Sequence, residues 1–193
     1  MIGSHGAKGN MKQNSGGKQD NPFDQIFKDL TDKMGKEGMS PKEAMGLSGS
    51  YLENLYAQAY RLYNTGKYSE ATHLFRLLVM FNALEPKYML GLAACLHMMK
   101  EYVSAIQTYT LCSALDPNNP IPHYHSSDCF IQMKEHLSAM LCLELAIESC
   151  SDNKDYAKMK ERAQMSLESL KQQAISTPLN DNPRSVTELK QLF

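Results

Sequence analysis

Five cysteines and six histidines are the side chains of this 193-residue chain best suited to covalent or metal chemistry. The cysteines are Cys95, Cys112, Cys129, Cys142 and Cys150, an odd number with no C-x-x-C pair. A zinc site needs ligands in close pairs, and these spacings supply none. His123 and His125 are two apart, so on a helix they point to different faces. Cys95 and His97 are also two apart and diverge, which argues against a thiol–imidazole nucleophile. The cysteines read as small apolar helix residues of a reducing compartment, not as a disulfide framework. The chain contains no G-x-x-x-x-G-K-[ST], H-E-x-x-H, G-x-S-x-G or G-x-G-x-x-G motif. No catalytic residue, metal or cofactor is expected.

Recognition is the chemistry that remains. Tyr56, Tyr60 and Tyr63 follow one another at spacings of four and three, which puts them on one helical stripe. Such a stripe offers rings to apolar groups and hydroxyls to a peptide backbone. The charge balance, 20 Lys+Arg against 21 Asp+Glu, excludes a nucleic-acid binder that works through a basic patch. No apolar run reaches the roughly 18 residues of a membrane span. The most apolar stretch, Tyr88 to Met99, is too short and is interrupted by Gly91 and His97. Thirteen Met, no Trp and few Gly and Pro point to helix.

The elements that position the tyrosines can be read in order. Residues 1–20 are polar and Gly-rich with no apolar h-region, and are expected to be a disordered extension. Its Gly3-Ser4-His5-Gly6 reads as a cloning scar, with Met11 as the native start. A helical region at 21–50 follows. Phe23, Ile26, Phe27, Leu30 and Met34 form one stripe, Gly35 and Gly38 end it, and Ser40 with Glu43 starts a new helix. Ser50 with Glu53 reads as a second capping box. Helix then continues to about residue 173. Residues 174–193, with Pro178 and Pro183, are expected to be a flexible tail.

Residues 51–153 carry a period of 34 residues, seen in the abutting windows 52–85, 86–119 and 120–153. The eighth position reads Ala59, Ala93, Ser127, and the twentieth Ala71, Ala105, Ala139. Large residues recur at Phe75, Tyr109 and Leu143. Gly66 stands at a turn where Lys100 and Lys134 follow. This is the tetratricopeptide signature, a helix–turn–helix per repeat. The predicted fold is all-α: a superhelical array of three such repeats, with the N-terminal helical region and a C-terminal solvating helix at 154–173. That helix sets Tyr156, Met159, Ala163, Met165, Leu167 and Leu170 among Lys, Glu and Gln.

Stacked repeats curve, and the first helix of each lines the inner groove. The predicted groove-lining residues are Tyr56, Tyr60, Tyr63 and Asn64 in the first repeat, and Leu90, Ala94, His97 and Met98 in the second. The third supplies Tyr124 and Ile131. Among the inner positions Lys87 is the single Lys, whereas a groove for an acidic tail needs several cations. The expected ligand is therefore an extended apolar segment. A generic tetratricopeptide scaffold or cochaperone is the alternative, and it requires a basic groove.

The blocks Leu55-Tyr56-Ala57-Gln58-Ala59-Tyr60, Gly66-Lys67-Tyr68-Ser69-Glu70-Ala71 and Tyr88-Met89-Leu90-Gly91-Leu92-Ala93-Ala94-Cys95 carry a family resemblance. So does Asp116-Pro117-Asn118-Asn119-Pro120-Ile121-Pro122. Over residues 22 to 170 the chain resembles the class II chaperones of type III secretion, the SycD/LcrH/IpgC/PcrH family. The resemblance implies a chaperone of the bacterial cytoplasm that binds hydrophobic translocators before export. It implies a client segment of the type P-x-L-x-x-P in the groove. It also implies a weak homodimer, with Phe23, Ile26, Phe27 and Leu30 as its contacts. It implies neither nucleic-acid binding nor membrane insertion.

Overall fold

The computed structural model describes residues 22–151 and 153–176. The extension expected at 1–20 and the tail from 177 on lie outside the described residues, as do the side chains of Phe23 and Phe27. The chain divides into two compact units, one up to Met39 and one from Ser40.

The first unit contains helix α1, Pro22–Lys36. Its polar face is tied by Asp29–Lys33 at 2.8 Å and Asp32–Lys36 at 3.0 Å, each one turn apart. Gly38, at φ +68°, follows the helix in the left-handed conformation that ends it. On the apolar stripe Ile26 is 59% exposed and Leu30 half-buried.

The second unit begins with α2, Pro41–Ala44, under a complete capping box: the Glu43 amide donates to Ser40 Oγ, and the Ser40 amide to the Glu43 carboxylate. Helix α3, Gly49–Asn64, corrects the sequence reading at its start. Its cap is Ser48, not Ser50: Ser48 is extended and its hydroxyl accepts from the Tyr51 amide at 3.1 Å. Ser50 sits inside the first turn and bonds only the Ser48 hydroxyl. Glu53 is thereby released from a capping role and reaches another helix.

Three antiparallel helix pairs follow in sequence. They are α3 with α4 (Tyr68–Phe81), α5 (Pro86–Met98) with α6 (Tyr102–Leu115), and α7 (Ile121–Gln132) with α8 (His136–Cys150). A 3-10 turn, Lys154–Tyr156, leads to α9, Ala157–Ser176. The small residues of the period stand where helices cross: Ala59, Ala71, Ala93, Ala105, Ser127 and Ala139 have no exposed surface. The turn inside each pair is one motif made three times. Gly66, Lys100 and Lys134 hold φ of 77°, 63° and 62°. Behind each, the next amide reaches back across the turn: Lys67 to the Leu62 carbonyl, Glu101 to Leu96 and Glu135 to Phe130, all within 3.0 Å. These are Schellman closures, which satisfy the carbonyls at the helix end.

The core divides into three clusters along the array. The first centres on Leu52, Phe75, Leu78 and Tyr88, the second on Leu96, Tyr109 and Cys129, the third on Leu143, Ala163, Leu167 and Leu170. Helix α9 thus seals the last pair. It runs to Ser176, past the expected end at 173, and Met165 points to solvent at 66% exposure instead of joining the seal.

Candidate peptide-binding face

The first helices of successive pairs stand side by side, which cross-helix contacts make plain. Lys87 Nζ on α5 meets Glu53 Oε1 on α3 at 2.7 Å. The same ammonium lies 5.1 Å from the Tyr56 ring centre and 5.5 Å from that of Tyr88. Tyr56 is the hub of this end. It stacks along Tyr60 (6.2 Å, 21°), meets Phe75 edge-on (6.0 Å, 74°) and tilts against Tyr88 (5.8 Å, 42°). Phe75 and Tyr88 are buried, so Tyr56 rests on the core and turns its other face outward.

Gly91 makes room for this arrangement. A methyl group there would overlap the Phe75 ring. The missing side chain lets α4 approach α5 closely enough for Phe75 to sit beneath Tyr56.

The predicted residues divide into two groups by exposure. Tyr60 of α3 and Met98 of α5 present their side chains to solvent, at 52% and 46% exposure, and Asn64 at the end of α3 is also exposed. Tyr56, Tyr63, Leu90, Tyr124 and Ile131 are half-buried and pack against the three core clusters, so each both supports the array and forms its surface. Ala94 and His97 are half-buried on α5. Tyr63 pairs edge-on with Tyr68 at 5.4 Å instead of continuing the Tyr56–Tyr60 stack. Sequence reasoning missed Tyr88 and His125. Tyr88 occupies a repeat position held by Asn54 and Pro122 elsewhere, so no period marks it. His125 lies outside the positions taken as inward-facing, yet its ring meets that of His97 across two helices at 6.0 Å.

The electrostatics suit a neutral ligand. Burial raises the Tyr56 and Tyr63 phenols above their ordinary values, so both keep a donor and an acceptor at neutral pH. Lys87 is already neutralised by Glu53, and its hydrogen bond to that carboxylate raises its pKa. The thiols are inert by the same physics: burial pushes Cys95, Cys112 and Cys142 up to about 11 and Cys129 to about 12. All five are free, and Cys142 alone is not fully buried.

Stacked 34-residue helical hairpins with an aromatic face on their first helices define a tetratricopeptide protein. A family model for the tetratricopeptide repeat matches residues 52–81 and 86–119. Chaperone protein SicA of Salmonella typhimurium is 31% identical over 135 residues, 70% of this chain and 79% of SicA. The Yersinia enterocolitica type III secretion chaperone SycD, solved with a peptide of the translocator YopD, superposes with a TM-score of 0.64 at 30% identity. That match covers 66% of this chain and 97% of SycD. PcrH of Pseudomonas aeruginosa, solved with the chaperone-binding region of PopD, gives 0.65 at 29% identity over 66% of this chain and 96% of PcrH. The chain belongs to this family, the class II chaperones of type III secretion.

Proposed function

We propose that this protein is a chaperone of the bacterial cytoplasm, not an enzyme, that holds a hydrophobic translocator before export by type III secretion. An extended client segment of the P-x-L-x-x-P kind lies along α3, α5 and α7. Tyr56, Tyr60 and Tyr63 face one end of it, Leu90, Ala94, His97 and Met98 the middle, and Tyr124 and Ile131 the far end. Tyr hydroxyls and Asn64 serve the backbone of the segment. Residues 51–153 form the binding array and 154–173 its cap. The stripe of α1 that carries Ile26 and Leu30, together with Phe23 and Phe27, supplies a weak homodimer contact.

One observation carries this reading: the shared face of the first helices is aromatic and aliphatic, and its single lysine is spent on Glu53. A carboxylate clamp needs unpaired cations at that place, so the generic cochaperone reading is the weaker one. Among the described residues no helix is long and apolar enough to cross a membrane.

The test is a titration with a labelled Pro-x-Leu-x-x-Pro peptide, run beside Tyr60→Ser. Tyr60 is mostly exposed, so this substitution spares the core. Saturable binding that weakens in Tyr60→Ser at unchanged helicity supports the groove. Binding to an acidic C-terminal peptide instead would return the protein to the scaffold class.

A further inference from the structure

The middle of the same face carries a polar cluster that apolar recognition does not use. His97 of α5 and His125 of α7 meet edge-on, 6.0 Å between ring centres. His125 stacks on Tyr109 of α6 at 5.8 Å and 24°, and Tyr109 is 1% exposed. His97 meets the same Tyr109 edge-on at 6.3 Å and Tyr102 at 6.0 Å. Tyr124 closes the edge of His125 at 5.7 Å. One turn along α7, Asp128 Oδ2 lies 3.7 Å from His125 Nδ1. Among the described residues no buried side-chain nitrogen or oxygen lacks a partner. The imidazoles make no hydrogen bond to those residues, so their nitrogens reach the surface with that capacity unused.

The surroundings keep His97 neutral. Burial lowers its pKa first, His125 lowers it further, and Asp128 opposes them. From α6 the groups that face it are Tyr102 and Tyr109, and burial keeps the Tyr109 phenol protonated. From α7 they are His125 and Asp128. A neutral imidazole offers one donor and one acceptor, the complement of an amide. An imidazolium offers donors alone, beside a second imidazole.

We propose that His97 and His125 form a polar subsite of the groove that binds a neutral amide of the client segment, backbone or Asn/Gln, and does so only while His97 is unprotonated. This subsite rests on the client-groove reading above. The bound segment strips water from His97 and makes its protonation harder. Affinity therefore falls as pH drops below the ordinary histidine value of about 6.5.

The probe is a Pro-x-Leu-x-x-Pro peptide with blocked ends and Gln, Ser and Asn at the x positions, so that only the protein titrates. Its affinity weakens between about pH 8 and about pH 5, as pH falls through the pKa of free His97, which burial holds below the ordinary value. The His97 ring proton, followed by NMR in the unaltered protein, titrates at lower pH with peptide bound than without. His97→Gln flattens the profile, whereas His73→Gln, on an exposed position of α4, leaves it sloped. Equal affinity at both pH values, tighter binding in acid, or an unchanged slope in His97→Gln overturns the subsite. A peptide that binds with a flat profile sinks the subsite alone; one that binds at no pH sinks the groove with it.

Discussion

Glu53 and Lys87 hold the same position in successive repeats, 34 residues apart, and their side chains meet at 2.7 Å across the face that the repeats share. A pair this exposed contributes at most about 1 kcal/mol to stability. Its larger effect is on recognition, because it removes the one cation that would attract an acidic ligand. Peptide binding in the groove should therefore be indifferent to salt. Affinity measured from about 0.1 M to about 1 M NaCl is expected to hold or rise slightly, since exposed charges are screened over this range while apolar burial is not. A steep fall would mean that ion pairs dominate.

Gly91→Ala is expected to destabilise the fold by about 1–3 kcal/mol, because its methyl group overlaps the Phe75 ring inside a packed core. Urea denaturation reads the loss. The displaced Phe75 also removes the support beneath Tyr56, so peptide affinity falls as well. Phe75→Leu in the same chain should recover part of the stability but not the affinity. Recovery of both would show that Tyr56 does not depend on that ring.

Lys100→Gly and Lys134→Gly should each raise stability by about 0.5–1 kcal/mol. Both lysines hold a left-handed backbone that Gly66 adopts freely in the first repeat. Thermal melts of the single and double variants check this, and the gains should add, because the two turns belong to different repeats. A loss would mean that the lysine stems cover apolar surface worth more than the strain.

Stability should fall in mild acid. Burial lowers the pKa of His97 and of His123 below the ordinary histidine value of about 6.5. Above that value both are neutral whether folded or unfolded, and the fold is unpenalised. As pH falls, the unfolded chain takes up protons first, so stability declines through the folded-state pKa values. Melts from about pH 7.5 to about pH 5 should show the decline, and His123→Gln should reduce it.

The array was legible because the period repeats a physical job. Ala59, Ala93 and Ser127 recur where helices cross, and a sequence records such a demand directly. The start of α3 was misplaced because Ser48 and Ser50 offer the same hydroxyl, and only the extended backbone of Ser48 decides between them. The face was partly legible. The Tyr56–Tyr60 stack follows from helical spacing, but Tyr63 turns to Tyr68, a choice made by α4. The approach of His125 to His97 depends on how far neighbouring first helices slide along each other, and a period of 34 does not encode that offset. The end of α9 and the outward turn of Met165 depend on where the last repeat stops offering surface.

The three core clusters are unequally joined. Leu92 packs against both the first and the second, so these two share an apolar side chain, whereas no described residue belongs to both the second and the third. The break falls within α7, where Cys129 belongs to the second cluster while Tyr124, Phe130 and Ile131 pack against the third, and hydrogen exchange should find α8 and α9 breathing more freely than α3 to α6. A segment lying across His97 and His125 would tie α5 from outside to α7, the helix that both clusters share. The client would then act as a splint for the chaperone, lending it a cooperativity that its own interior leaves incomplete.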